Sequence, residues 1–104
     1  MTTNGTPSAA ILVVDDKYEN RELLNGHLTA AGHRASLAEN GRDALDQMAT
    51  QLPDLVLLDI MMPVMDGFET LEAMRADPRL AKIPVVIISA DGETDSVEIG
   101  RAHV

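Results

Sequence analysis

The chain has 104 residues, 45% hydrophobic and 24% charged, which suits one small domain with a thin core and excludes low-complexity disorder and collagen. Seventeen acidic against eight basic side chains give a net charge of −9, the wrong sign for displacing counterions from phosphates, and Tyr18 and Phe68 make no stacking platform, so no nucleic-acid binding is expected of this segment. The absence of cysteine removes disulfides, thiolate metal sites and cysteine nucleophiles; no apolar run nears the ~20 residues of a membrane span, and a cytoplasmic protein without membrane partners is expected.

In chain order, residues 1–8 are small and polar, carry no basic n-region and read as a disordered leader. Ala9 to Val14 is a continuous apolar run that stops at Asp15-Asp16. It is too short for a helix and reads as a strand buried on both faces. Leu24, Leu28 and Ala31 then recur at helical spacing, closed by Gly32 as a residue suited to the left-handed C-terminal turn. His33 to Ala38 is shorter and mixed, as suits a strand with one exposed face. Ala44, Leu45 and Met48 mark a second helix, entered from Asn40-Gly41 and stopped before Pro53. Leu55 to Leu58 is a second buried strand, ending at Asp59. Phe68, Leu71 and Met74 mark a third helix, stopped by Asp77-Pro78. Val85 to Ile88 is a further buried strand, ending at Ser89, and Glu93 to Glu98 reads as the start of a fourth helix. Alternation of this kind predicts an α/β fold, a doubly wound parallel sheet with right-handed crossovers and helices on both faces.

In such a sheet, ligands bind outside the carboxyl ends of the strands, where strand order reverses. Those ends carry Asp15-Asp16, Asp59 and Ser89. Two carboxylates ~4 Å apart repel by about 4 kcal/mol at an effective dielectric of 20, so three together call for a cation or a retained proton. An all-oxygen cluster suits a hard cation, Mg²⁺ first. Such a site also gives a phosphoryl group somewhere to land, with one Asp oxygen as in-line nucleophile. Each piece has a plainer reading as well: an Asp-Asp pair after a strand is a common helix cap, a strand-end hydroxyl is commonly solvated, and Lys17 can point to solvent. Met61, Met62 and Met65 read as packing around a loop. His27, His33 and His103 are not at metal-ligand spacing.

The blocks Ile11-Leu12-Val13-Val14-Asp15-Asp16, Leu57-Leu58-Asp59-Ile60-Met61-Met62-Pro63-Val64-Met65-Asp66-Gly67 and Pro84-Val85-Val86-Ile87-Ile88-Ser89-Ala90 resemble the receiver domain of two-component response regulators, over residues 9 to about 97. The resemblance implies a flavodoxin-like (CheY-like) fold. It implies that Asp59 is the phosphoacceptor, charged by a histidine kinase or phosphotransfer protein in a Mg²⁺-dependent reaction. Asp16 would bind Mg²⁺ directly and Asp15 mainly through water, with the backbone carbonyl of Met61 completing the protein's ligands. Ser89 would hydrogen-bond the phosphoryl group, and Pro63 and Gly67 would shape the loop into the third helix. The domain would be a signalling switch rather than an enzyme, though the family promotes its own phosphorylation and dephosphorylation, and an effector domain in a parent protein is a partner the resemblance implies.

The chain also departs from that family. The family's fifth strand, its closing lysine and its last helix have no counterpart here, so the expected strand order is 2-1-3-4, a partial receiver over 9–98. The fourth strand is then expected to be an open apolar edge, and the domain marginally stable and prone to dimerise. Phosphorylation is expected to be slow or absent without that ammonium. The tail from Ile99 to Val104 matches one reading frame of a sequencing adapter and is expected to be foreign to the domain. Two other readings stay open. One is an Asp-nucleophile phosphatase of the haloacid-dehalogenase type, although Asp15 is followed two residues on by Lys17 rather than a second Asp. The other is a flavodoxin-like interaction module that is never phosphorylated.

Overall fold

The computed structural model describes residues 8–60, 62, 64–88 and, for the backbone, 94–98. The apolar runs become strands β1 (Ala10–Val14), β2 (Arg34–Ala38), β3 (Leu55–Asp59) and β4 (Val85–Ile88). Between them lie helices α1 (Tyr18–Ala30), α2 (Gly41–Thr50) and α3 (Gly67–Ala76). The four strands pair in parallel in the order β2-β1-β3-β4, the doubly wound arrangement expected from the alternation of elements. Among the described residues no helix is long and apolar enough to cross a membrane.

Local sequence ends the helices where side-chain and backbone chemistry allow. At the end of α1, Gly32 takes φ +94. Its N–H donates to the Thr29 carbonyl while the His33 N–H donates to that of Leu28, both at 3.0 Å. This is the paired closure that a left-handed glycine makes possible. Asn40 caps α2 by accepting from the Asp43 N–H at 2.8 Å. Asp66 and Glu69 close a reciprocal capping box at the start of α3, at 2.9 and 3.0 Å. His33 is a structural histidine, its Nδ1 accepting from the Ala9 N–H at 3.1 Å.

The register aligns Leu12 with Val56 and Val56 with Val85, and one step on Val14 with Leu58 and Leu58 with Ile87. Strand side chains alternate between faces, so these six share one face. There they pack with Ala44 and Met48 of α2, Leu71 and Met74 of α3, and Met62 of the following loop in a single core. Ile11 and Val13 point to the opposite face, where α1 lies over β1 and β2.

The sequence reading fails after β4. Residues Thr94–Glu98 form a fifth strand, β5, antiparallel to β4, and not the start of a helix. Val85 pairs with Glu98, Val86 with Val97 and Ile87 with Ser96, with an irregularity before Ile88 meets Thr94. A six-residue helix is marginal in water. The free N–H and C=O groups of β4 offer that segment better partners. The fourth strand is therefore not the open edge expected from the sequence: among the described residues the sheet has five strands, and its edges are β2 and β5. Residues 1–7 of the expected leader, the tail after Glu98, and Met61, Pro63 and Ser89 with the roles expected of them lie outside the described residues.

Candidate functional site

Because β1 and β3 are parallel neighbours with Val14 opposite Leu58, the next residues of both strands emerge at the same end of the sheet. Asp15, Asp16 and Asp59 meet there, each offering a carboxylate oxygen within 4.8 Å of the others. Asp15 is 3% exposed and Asp59 5%, whereas the Asp16 side chain keeps 28% of its surface. Burial of like charges at this spacing is unfavourable unless a cation joins them.

The two adjacent aspartates are held differently. Asp15 has every polar atom engaged. Its N–H donates to the Ala38 carbonyl at 3.0 Å. Oδ1 accepts from the Lys17 N–H at 2.9 Å and Oδ2 from Asn20 Nδ2 at 3.2 Å. Its carbonyl accepts from Arg21 Nη1 at 2.7 Å. Asp16 is the opposite case: Oδ1 is buried with no hydrogen-bond partner, and Lys17 Nζ stands 3.9 Å away, too far to hydrogen-bond. A buried carboxylate oxygen left without a donor, facing two other carboxylates, fits a divalent cation with oxygen ligands. The acidic cluster can hold a metal.

Asp59 closes β3, and the chain then passes through Ile60 and the following loop into α3. The loop is seated by the Ile60 N–H donating to the Ile88 carbonyl at 3.2 Å and the Gly67 N–H donating to the Ile60 carbonyl at 3.0 Å. A Cβ on Gly67 would lie 2.6 Å from the Asp59 carbonyl oxygen and 2.8 Å from the Ile60 Cα. Only glycine lets α3 start this close to the Asp59 peptide. In the same loop Val64 takes φ +68, a conformation that a β-branched residue rarely adopts.

Sequence reasoning brought together Asp15, Asp16 and Asp59 and missed Asn20 and Arg21. The plainer reading of the acidic pair as a helix cap does not hold: α1 has no side-chain cap, and Asp15 instead makes a local turn onto the Lys17 N–H, ahead of the helix. Asn20 and Arg21 escaped notice because an asparagine and an arginine in a first helical turn are ordinary surface residues, and the main target of Arg21 is a backbone carbonyl that no side-chain pattern reveals.

A profile described as the response regulator receiver domain matches residues 11–102. The chain belongs to the response regulator receiver domain family. It is 48% identical over 92 residues to the response regulator PleD of Caulobacter vibrioides, covering 88% of this chain and 20% of that protein. It is 43% identical over 88 residues to sporulation initiation phosphotransferase F of Bacillus subtilis, covering 85% of this chain and 69% of the relative. The chain thus spans about a fifth of PleD's length. Among solved structures, the N-terminal domain of a response regulator receiver protein from Methanoculleus marisnigri superposes with a TM-score of 0.77 at 43% identity, covering 79% of this chain and 67% of that one. The chemotaxis protein CheY4 of Vibrio cholerae gives 0.78 at 31% identity, covering 86% of this chain and 72% of that one.

Proposed function

We propose that this receiver is a cytoplasmic phosphoacceptor in two-component signalling, charged on Asp59 by a histidine kinase or a phosphotransfer protein. The observation that carries the reading is the meeting of three carboxylates within 4.8 Å, with Asp16 Oδ1 buried and undonated.

Asp16, with its open lone pairs, would hold Mg²⁺ directly, together with Asp59 and the Met61 carbonyl. Asp15, whose oxygens already accept from Lys17 and Asn20, would act mainly through water. When bound, Mg²⁺ supplies neutralisation of phosphoryl oxygens. In the transfer, an Asp59 carboxylate oxygen bonds to phosphorus as the phosphorus–nitrogen bond of the donor phosphohistidine breaks, its electron pair going to that nitrogen; with the other ring nitrogen protonated, neutral imidazole leaves and an aspartyl phosphate remains. The burial of Asp59 excludes bulk water from that carboxylate, and Ser89 would donate to a phosphoryl oxygen. The added charge, about −1.5 to −2 at pH 7, is the signal. Asp59 is loaded once per event, not turned over on a substrate, and the loaded receiver would act on an effector domain of a parent protein or on a separate partner.

The test is phosphorylation of the purified chain by acetyl phosphate with Mg²⁺, read by intact mass and by peptide mapping. One phosphoryl group is expected on Asp59, absent in Asp59→Asn and abolished by EDTA. Labelling is expected to be slow, because the ammonium nearest the site belongs to Lys17 and leans on Asp16 and not toward the phosphoryl position. Labelling that survives in Asp59→Asn overturns the assignment of the acceptor, and rapid labelling overturns the argument about the ammonium.

A further inference from the structure

We propose that Arg21, assisted by Asn20, is a positioning residue of the acidic site: from the first turns of α1 it sets the pose of the Asp15–Asp16 peptide, and with it the affinity for the cation, without touching the cation. The inference rests on the reading of Asp15, Asp16 and Asp59 as a divalent-cation site.

The peptide group is rigid. The carbonyl of Asp15 and the nitrogen of Asp16 share one plane. A donor that pins that carbonyl oxygen therefore fixes the direction in which the chain enters Asp16. Arg21 Nη1 is that donor, at 2.7 Å, a short charge-assisted bond. The guanidinium is itself braced, with its central carbon 5.9 Å from the centroid of the Tyr18 ring, and Arg21 is half-buried. Asn20 and the Lys17 N–H fix the Asp15 carboxylate, and the Asp15 N–H is fixed to β2 through Ala38. Asp15 is thus immobilised on all sides. Asp16, which makes no hydrogen bond through its buried oxygen, is placed by the covalent chain that leads out of this clamp. The residue with the open oxygen depends on its neighbour's bonds for its orientation.

Charge and position make opposite demands on this arginine, and that makes the proposal testable by sign. As a mere charge, a guanidinium next to a cation site repels the cation, so its removal would tighten binding. As a clamp, its removal loosens the Asp16 carboxylate and weakens binding, by about tenfold if it behaves like other outer partners of metal ligands. Lys17 provides the internal reference, because its ammonium is 3.9 Å from Asp16 Oδ1 and donates no hydrogen bond there.

The experiment measures Mn²⁺ and Mg²⁺ affinity of the full 104-residue chain by calorimetry and by Mn²⁺-enhanced water-proton relaxation, well below the melting temperature of each variant. Arg21→Lys, which keeps the charge and loses the reach and planarity of the fork, is expected to weaken binding about tenfold, and Arg21→Gln similarly. Asn20→Ala, a milder change for folding, is expected to weaken it less, and Lys17→Gln to tighten it. Arg21 variants that melt earlier but bind the metal as the parent does, or an Arg21→Gln chain that binds more tightly, overturn the proposal. A parent chain without saturable binding, or one whose binding survives Asp16→Asn, overturns the cation-site reading itself and is recognisable as that failure.

Discussion

The two faces of the sheet are built to different standards. On one, Leu12, Val14, Val56, Leu58, Val85 and Ile87 meet the apolar sides of α2 and α3 and are buried. On the other, Ile11 and Val13 are buried under α1, but Leu55, Leu57, Val86 and Ile88 are only half-buried, and no residue of α1 is fully buried. Helix α1 lies over β1 and β2, and the residues of β3 and β4 on its side of the sheet stay partly exposed. Hydrophobic stabilisation follows the area removed from water. Most of the domain's stability should therefore come from the α2–α3 face, while the acidic site straddles both, with Asp59 on a strand anchored by one layer and Asp15 clamped by the other.

Two adjacent leucines on β3 face the two sides of the sheet. Leu58 is fully buried in the core and Leu57 is half-buried on the α1 side. Leu58→Ala is expected to destabilise by about 3 kcal/mol, within the range for core truncations that leave a cavity. Leu57→Ala should cost about 1 kcal/mol, since it surrenders only part of its area. Urea unfolding of the two variants decides it, and equal costs would mean that the faces are energetically alike. A smaller contrast lies in the helix caps. Asp66 caps α3 with its side chain, whereas Lys17 precedes α1 with no side-chain cap. Asp66→Ala should cost about 1 kcal/mol, and Lys17→Ala should stay within about 0.5 kcal/mol, both read from the same unfolding curves.

What the sequence made legible follows from how local the cause was. Continuous apolar runs ending at Asp15-Asp16 and Asp59 are local signals, and a parallel sheet then forces those ends together, so the acidic cluster could be read before any coordinates. Gly32 and Asn40 announced their helix ends for the same reason. The segment 94–98 was misread because its state depends on an unpaired strand edge elsewhere in the fold, which outweighs the weak helical preference of a short stretch. The Leu24 and Leu28 spacing correctly marked the inner side of α1, yet spacing cannot say how completely a sheet will cover that side. Arg21 was invisible because its bond runs to a carbonyl whose position exists only once the loop has folded.

The loops leaving β1 and β3 carry the same contrast in their backbones. The β1–α1 loop is relaxed and tied by hydrogen bonds onto Asp15. The β3–α3 loop contains the only non-glycine residue with positive φ among the described residues, Val64 at φ +68, and this residue is 80% exposed. Nothing in its packing compensates that conformation, so its flanks must hold it: Met62 is sunk in the core before it, and the capped start of α3 follows it. A left-handed backbone costs an ordinary residue roughly 1–2 kcal/mol, and glycine escapes that at an entropic cost of about 0.5–1 kcal/mol. Val64→Gly should therefore stabilise the domain slightly, by about 0.5 kcal/mol, and Val64→Asn should do so by a similar or smaller amount, since asparagine tolerates this region. The gain should appear in the urea midpoint with an unchanged slope. A loss of stability in both variants would mean that the exposed valine makes contacts worth more than its strain, and the dense face would then extend further round the acidic site than α2 and α3 alone account for.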